Sequence, residues 1–326
     1  MVMMIDGSSV DRLLPYDECI DLMRTALASL ARDEVFLPLR TVVRPPVDGV
    51  MALMPSYVDG AAPALGVKIV TIFHGNPEVG KDAHQGVVLL LDPATGEPQA
   101  VLDASAITRI RTAAASAVAT DVLAQSGADD LAVIGSGTQA RAHLRALARV
   151  RPPRRVRVHS RRPERGARFA AEMADVVDVP IEVASDVASC VAGASVIVTA
   201  TNSAEPVLAR QMVTDGAHVN AVGSSIPTTR ELDGALMGAA RVYTDRLESL
   251  VNESGDFLMA ARDGELDADD VVGEIGGVLT SNVPGRGGPE EITVFKSLGL
   301  AVEDVLAARH VFRRWSAETA PGGARR

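Results

Sequence analysis

LAVIGSGTQARAH, residues 131–143, sets the reading of the whole chain. Its opening residues are an apolar strand, TQARAH begins a helix, and between them runs Gly135-Ser136-Gly137-Thr138-Gln139-Ala140, a G-x-G-x-x-A sequence. In that strand–turn–helix setting the first glycine permits a tight turn and the second lets backbone approach a pyrophosphate. Ala140 is small enough for the helix to close on the strand. The helix N-terminus contributes N–H groups and the positive end of its dipole. A glycine turn in some other α/β protein is the alternative reading, and the strand–turn–helix context favours the dinucleotide loop.

Working outward toward the C-terminus, RVRVHS is a second strand that ends in His159-Ser160-Arg161-Arg162. An enzyme selective for NAD usually carries Asp or Glu there, accepting from the ribose 2′-hydroxyl. Ser160, Arg161 and Arg162 instead suit a 2′-phosphate and present no carboxylate to repel it. NADPH is therefore the expected cofactor, with NADH possible, although the two arginines could also be a solvated loop. IEVAS, VIVTAT, HVNAVG and RVYTD continue as strands between helical segments, the signature of a parallel sheet covered on both faces. Residues 248–281 read as two acidic helices, and roughly Thr293–Trp315 as a last amphipathic helix.

Toward the N-terminus the texture differs. Ile20, Met23, Ala26, Leu27 and Leu30 recur at helical spacing between Tyr16 and Ala31. FLPLRTVV, VMALMP, ALGVKIVTIF and GVVLLLD then form a mostly antiparallel sheet, punctuated by PPVDG, HGNPEVGK and DPATGEP. The Ala-rich run from Ala104 to about Gln125 is helical by propensity. Lys68 lies inside ALGVKIVTIF, Arg40 inside FLPLRTVV, and Arg111 on the Ala-rich helix. An unpaired buried ammonium is costly, so three cations in apolar surroundings mark either a pocket for a carboxylate or structural ion pairs.

Composition bounds the rest. The 326 residues are 47% hydrophobic and carry a formal charge of −10, with a pI near 5.1. That supports one large or two ordinary domains and excludes a disordered chain. The acidic balance argues against nucleic acid and anionic membrane as partners. Two cysteines, Cys19 and Cys190, make no disulfide framework or metal set, and no apolar run is long enough to span a bilayer. A reducing cytoplasm is the expected compartment.

With these residues assembled, the chain resembles the ornithine cyclodeaminase/mu-crystallin family almost end to end. The likeness is carried by MPSYV, LGVKIV, HQGVVLLLD, ITRIRTAAASA, AVIGSGTQA, VNAVGSSIPTTRELD and VPGRGGPEEITVFKSLGLAVED. The resemblance implies an α/β homodimer. A Rossmann domain, residues 116–299, would bind the nicotinamide cofactor, and residues 1–115 with 300–326 would form a discontinuous substrate-binding and dimerisation domain. It implies that Arg40, Lys68 and Arg111 bind substrate, with Arg111 clamping an α-carboxylate, and that Gln85 and Leu298 touch it. Thr199, Ala200 and Thr201, with Val222, Gly223 and Ser224, would line the nicotinamide side.

Two departures sharpen the expectation. Where cyclodeaminases and alanine dehydrogenases of the family carry an Asp after the VGG or VGA segment, this chain has Ser225. Where cyclodeaminases carry a Glu before the MP pair, it has Ala52. Cyclodeamination needs a base for the side-chain amine, and both carboxylates are missing; the S-x-P-x-x-REL pattern of residues 225–232 resembles the ketimine reductase and cyclic-imine reductase branch. The expected activity is reduction of a carboxylated cyclic imine to proline or pipecolate, with Lys68, Arg111 and Ser225 as the catalytic set. The alternatives are a deaminating enzyme (ornithine or lysine cyclodeaminase, alanine dehydrogenase, N-substituted amino-acid dehydrogenase) and a non-catalytic NADPH-binding crystallin.

Overall fold

A computed structural model describes residues 2–47, 49–73, 75–81 and 84–319. They divide into two compact units, one of the described residues up to Arg111 and from Leu300 onward, the other of Thr112–Gly299.

The first unit is a seven-stranded sheet. Its strands are β1 (Met3–Ile5), β2 (Val35–Phe36), β3 (Thr41–Val43), β4 (Val50–Val58), β5 (Ala64–Ile72), β6 (His84–Leu91) and β7 (Pro98–Asp103). They lie in the order β1-β7-β6-β5-β4-β2, with β3 also on β4. All ladders are antiparallel except β1 on β7. Helices α1 (Gly7–Leu13) and α2 (Tyr16–Ala31) precede the sheet, and α3 (Ala104–Leu123) follows it. α2 buries Ile20, Met23, Ala26 and Leu27 of the stripe its periodicity predicts, with Cys19 beside them, while Leu30 is half-buried. The first three strand residues and α1 escape sequence reading, because a three-residue strand shows no measurable period. FLPLRTVV is not one strand: Pro38 has no N–H for a ladder, and pairing stops at Phe36 and resumes at Thr41.

The second unit is an eight-stranded, wholly parallel sheet. It comprises β8 (Asp130–Ile134), β9 (Arg155–His159), β10 (Ile181–Val183), β11 (Val196–Thr199), β12 (His218–Ala221), β13 (Arg241–Thr244), β14 (Gly273–Glu274) and β15 (Thr293–Lys296). Their order is β10-β9-β8-β11-β12-β15-β13-β14. Strand order reverses between β8 and β11, so the fold is doubly wound with its switch point there. The helices are α4 (Thr138–Val150), α5 (Pro163–Glu172), α6 (Val187–Val191), α7 (Gly234–Ala239), α8 (Leu247–Glu253), α9 (Gly255–Arg262) and α10 (Ile275–Leu279). The two acidic helices expected over 248–281 are therefore three shorter ones.

The last expected helix also needs correcting. Thr293–Lys296 is a fully buried central strand, and only Ala301–Thr319 is helical, here α11. A four-residue apolar run cannot be told from a helix turn by period alone, and Gly299, with φ +78°, breaks the chain between the two elements. α11 packs within the first unit. Gly66 on β5 leaves room for it: a Cβ there would stand 2.7 Å from the Leu89 carbonyl and 3.2 Å from a Val305 methyl.

Candidate active site and dinucleotide loop

Two of the three predicted cations meet inside the first unit. Lys68 on β5 is 3% exposed and Arg111 on α3 is 4% exposed. Both are paired with carboxylates of α11: Lys68 Nζ lies 2.5 Å from Asp304 Oδ2, Arg111 Nε 2.9 Å from Asp304 Oδ1, and Arg111 Nη1 2.6 Å from Glu303 Oε2. Asp304 thus bridges the two cations. Burial pushes the Lys68 ammonium down to about 8, against the pull of Asp304, and the charges of Arg111 and Arg40 add to the depression. For Arg111 burial also opposes the charge, but Asp304 and Glu303 outweigh it and hold the guanidinium above its ordinary value. Arg40, half-buried between β2 and β3, stands close enough to act on Lys68.

Ladder register separates Gln85 from this group. Lys68 is opposite Val88, whereas Gln85 is opposite Thr71, so Gln85 and Lys68 project from opposite faces of the sheet. Ala52 and Met54 are buried and share the Lys68 face, Met54 directly across the ladder from it.

In the second unit the glycine loop has the geometry its sequence predicts. Gly135 adopts φ +116°, and a Cβ on it would lie 2.4 Å from the Ala200 carbonyl. Only glycine fits where β8 and β11 diverge. Gly137 is the N-cap of α4, with no side-chain hydrogen bond to the cap, and a Cβ there would meet nothing within 4 Å. The loop therefore leaves open space in front of uncapped N–H groups, which suits a pyrophosphate. Arg141 Nη1 donates to the Ser136 carbonyl and holds the loop from behind. Ser136 Oγ bonds Ser160 Oγ at 2.9 Å, joining the ends of β8 and β9. Arg161 and Arg162 are exposed beside them, with Arg162 the N-cap of α5.

Beyond the switch point the ends of β11, β12 and β15 bring together Thr199, Ala200, Thr201, Val222, Gly223 and Ser224 above a buried polar network. Glu231 is fully buried and accepts from Thr199 Oγ1 at 2.8 Å, Thr201 N at 2.6 Å and Gly223 N at 2.6 Å. Lys296, also fully buried, donates to the carbonyls of Ala221 at 3.2 Å and Ser224 at 2.5 Å. It also pairs with Asp256 at 3.0 Å. Asp245 Oδ2 accepts from the N–H groups of Leu298 and Gly299, each at 2.7 Å, and fixes the turn that carries buried Leu298. Ser225 is half-buried in the turn after β12, next to Ser224, whose hydroxyl bonds Thr229.

Sequence reading assigned no role to Glu303, Asp304, Lys296, Asp256 or Asp245, and met Glu231 only as part of the REL pattern. Acids on a helix of an acidic protein look like a solvated face, and REL looks like a loop; only tertiary pairing shows otherwise. Among the described residues no cluster of His, Cys, Asp and Glu could hold a metal, and no helix is long and apolar enough to cross a membrane.

A doubly wound parallel sheet with a fitted glycine loop at its switch point defines an NAD(P)-dependent oxidoreductase. The chain belongs to the ornithine cyclodeaminase/mu-crystallin family, whose model matches residues 1–319. It is 39% identical to the ketimine reductase mu-crystallin of Mus musculus over 312 residues, 94% of this chain and 95% of that protein. Among solved structures it resembles the Thermococcus litoralis Δ1-pyrroline-2-carboxylate reductase in complex with NADH and L-proline. The TM-score is 0.93 at 31% identity, covering 96% of this chain and 97% of that one. An archaeal alanine dehydrogenase dimer with bound NAD gives a TM-score of 0.92 at 30% identity, over 98% of each chain.

Proposed function

We propose that this protein reduces a carboxylated cyclic imine of the Δ1-pyrroline-2-carboxylate or Δ1-piperideine-2-carboxylate type to the corresponding cyclic amino acid, with NADPH preferred over NADH. One observation carries the choice of reaction. The carboxylates paired with Lys68 and Arg111, Glu303 and Asp304, are both committed to those cations. The positions where cyclodeaminases carry further acids hold Ala52 and Ser225. With both acids engaged, the cluster offers no carboxylate base to a substrate's second amine.

The residues of the second unit, 112–299, fit the cofactor: Gly135, Ser136, Gly137, Thr138 and Gln139 for the pyrophosphate, and Ser160, Arg161 and Arg162 for a 2′-phosphate. When bound, the reduced nicotinamide supplies the hydride that the imine carbon receives. Lys68 gives the proton that the ring nitrogen gains, so that C=N becomes CH–NH. A lysine with its pKa near 8 is still mostly protonated at neutral pH and gives up that proton far more readily than an ordinary one. Nε and Nη1 of Arg111 are engaged, so the substrate carboxylate is shared among Arg111 Nη2, Arg40 and Lys68 rather than clamped by Arg111 alone. In this reading Ser225 donates a hydrogen bond or orients a water, and Leu298 touches the substrate. Gln85 leaves the sheet on the face opposite Lys68, so the proton transfer is assigned to Lys68 without it.

The same reading includes a homodimer formed through the first unit, supported by the family relative that is a dimer.

The test offers each cyclic ketimine with NADPH and with NADH and follows oxidation of the nicotinamide. L-ornithine and L-alanine with the oxidised cofactors run in parallel. Rapid imine-dependent NADPH oxidation without ornithine turnover is the expected result. Ammonia release from ornithine would sink the proposal.

A further inference from the structure

We propose that Glu231 is the positioning residue for the nicotinamide end of the cofactor, acting through the backbone exits of β11 and β12. The inference rests on the reading of residues 199–201 and 222–224 as the nicotinamide wall. Glu231 does not belong to that wall; it lies beneath it and takes one hydroxyl and two backbone N–H donors, from both strand exits.

Three features set this carboxylate apart from an ordinary loop staple. First, the two exits approach as closely as backbone allows. A Cβ on Gly223 would stand 2.1 Å from the Thr201 carbonyl and 2.5 Å from Glu231 Oε1, so no other residue fits and the carboxylate is in the contact. Second, the turn after β12 is held on both polarities. Glu231 takes the Gly223 N–H, while Lys296 takes the carbonyls of Ala221 and Ser224, and Val222 N donates to the Thr199 carbonyl at 3.0 Å. Third, Glu231 is itself fixed, because Asp256 accepts the N–H groups of Glu231 at 2.7 Å and Leu232 at 2.9 Å while pairing with Lys296.

Burying such a carboxylate is expensive, and burial raises its pKa. Both oxygens nonetheless receive donors, an arrangement that the ionised form satisfies in full and an amide cannot. A buried network with every member held on both sides is rigid. Rigidity at this place fixes where a flat ring can lie, to the tolerance that hydride transfer demands. The pyrophosphate loop and the Ser160–Arg162 corner are held by separate contacts, Arg141 to Ser136 and Ser136 to Ser160.

That separation gives the test. Glu231→Gln keeps size and removes the acceptor pair, and Thr199→Val removes one donor while leaving the carboxylate. Affinities for NADPH and for 2′-phospho-ADP-ribose, which has no nicotinamide, are measured calorimetrically on the full chain, with the thermal midpoint recorded. The expected result is NADPH affinity weakened about tenfold in Glu231→Gln and less in Thr199→Val, with the ADP-ribose affinity unchanged. Equal losses for both ligands would make Glu231 a general structural residue, and no loss for either would leave it without a role; each overturns the inference. If Glu231→Gln does not fold, Thr199→Val decides on the same two ligands. A wild-type chain that binds neither ligand would instead remove the cofactor reading on which the inference stands.

Discussion

Lys68 and Arg111 share Asp304, and the sharing has consequences that each side chain alone would not have. A Lys68 held near 8 is protonated below that pH and neutral above it. As a proton donor it is therefore active on the acid side, and kcat/KM for imine reduction falls as pH rises through about 8. Lys68→Met removes that limb and lowers kcat about a hundredfold, the lower range for loss of a general acid. A variant with wild-type kcat would end the donor role. The stability sign is the reverse of a usual lysine pair. The unfolded chain keeps its proton up to the ordinary value of 10.5, so the unfolded state binds more protons between about 8 and that value and stability rises with pH in that window. Asp304→Asn leaves Lys68 without its partner and Arg111 with Glu303 alone. Breaking a buried pair from one side costs about 3–5 kcal/mol, read as a drop in the urea midpoint at unchanged slope; a shift of a few tenths would mean the cluster is wetter than its burial implies.

At the scale of elements, the strand–turn–helix of β8 and α4 is where sequence was most informative, because each glycine there answers a local demand. Gly135 is conformational and Gly137 is spatial, and the two should separate on substitution. Gly135→Ala forces a Cβ onto the Ala200 carbonyl at positive φ, so it lowers thermal stability before any ligand is added. Gly137→Ala finds open space at φ −84°, so the midpoint stays put while NADPH affinity drops about tenfold or more as the methyl enters the pyrophosphate path. Equal midpoints for the two variants would contradict the geometry. Elements whose partners are distant in sequence were less legible. TVFK gives no sign of becoming the central strand β15, since the information lies in the gap between β12 and β13. The cations were visible as charges within apolar runs, but Glu303 and Asp304 were not, because nothing local distinguishes a buried acid on α11 from a solvated one.

For the molecule as a whole, the chain's return as α11 completes the first unit and covers one face of its sheet. The opposite face is a different matter. Register places Tyr57, Leu65 and Leu91 in one row across β4, β5 and β6, and Leu53, Ile69 and Val87 in another. Val67, Leu89, Val101 and Met4 form a third row from β5 through β7 to β1. These side chains are half-buried or exposed in the single chain, Met4 by 74% and Phe36 beside Tyr57 by 64%. An apolar sheet face of this extent marks a surface for association. Closing it against a second copy is the homodimer proposed above, and the face rather than any loop should control it. Paired substitution Val67→Glu and Leu89→Glu sets two like charges side by side in the middle row, where they repel in any sheet-to-sheet packing. Sedimentation should then show a monomer in place of a dimer, with far-ultraviolet circular dichroism unchanged because both side chains point away from α11. Persistence of the dimer in that variant would move the interface to another surface of the chain.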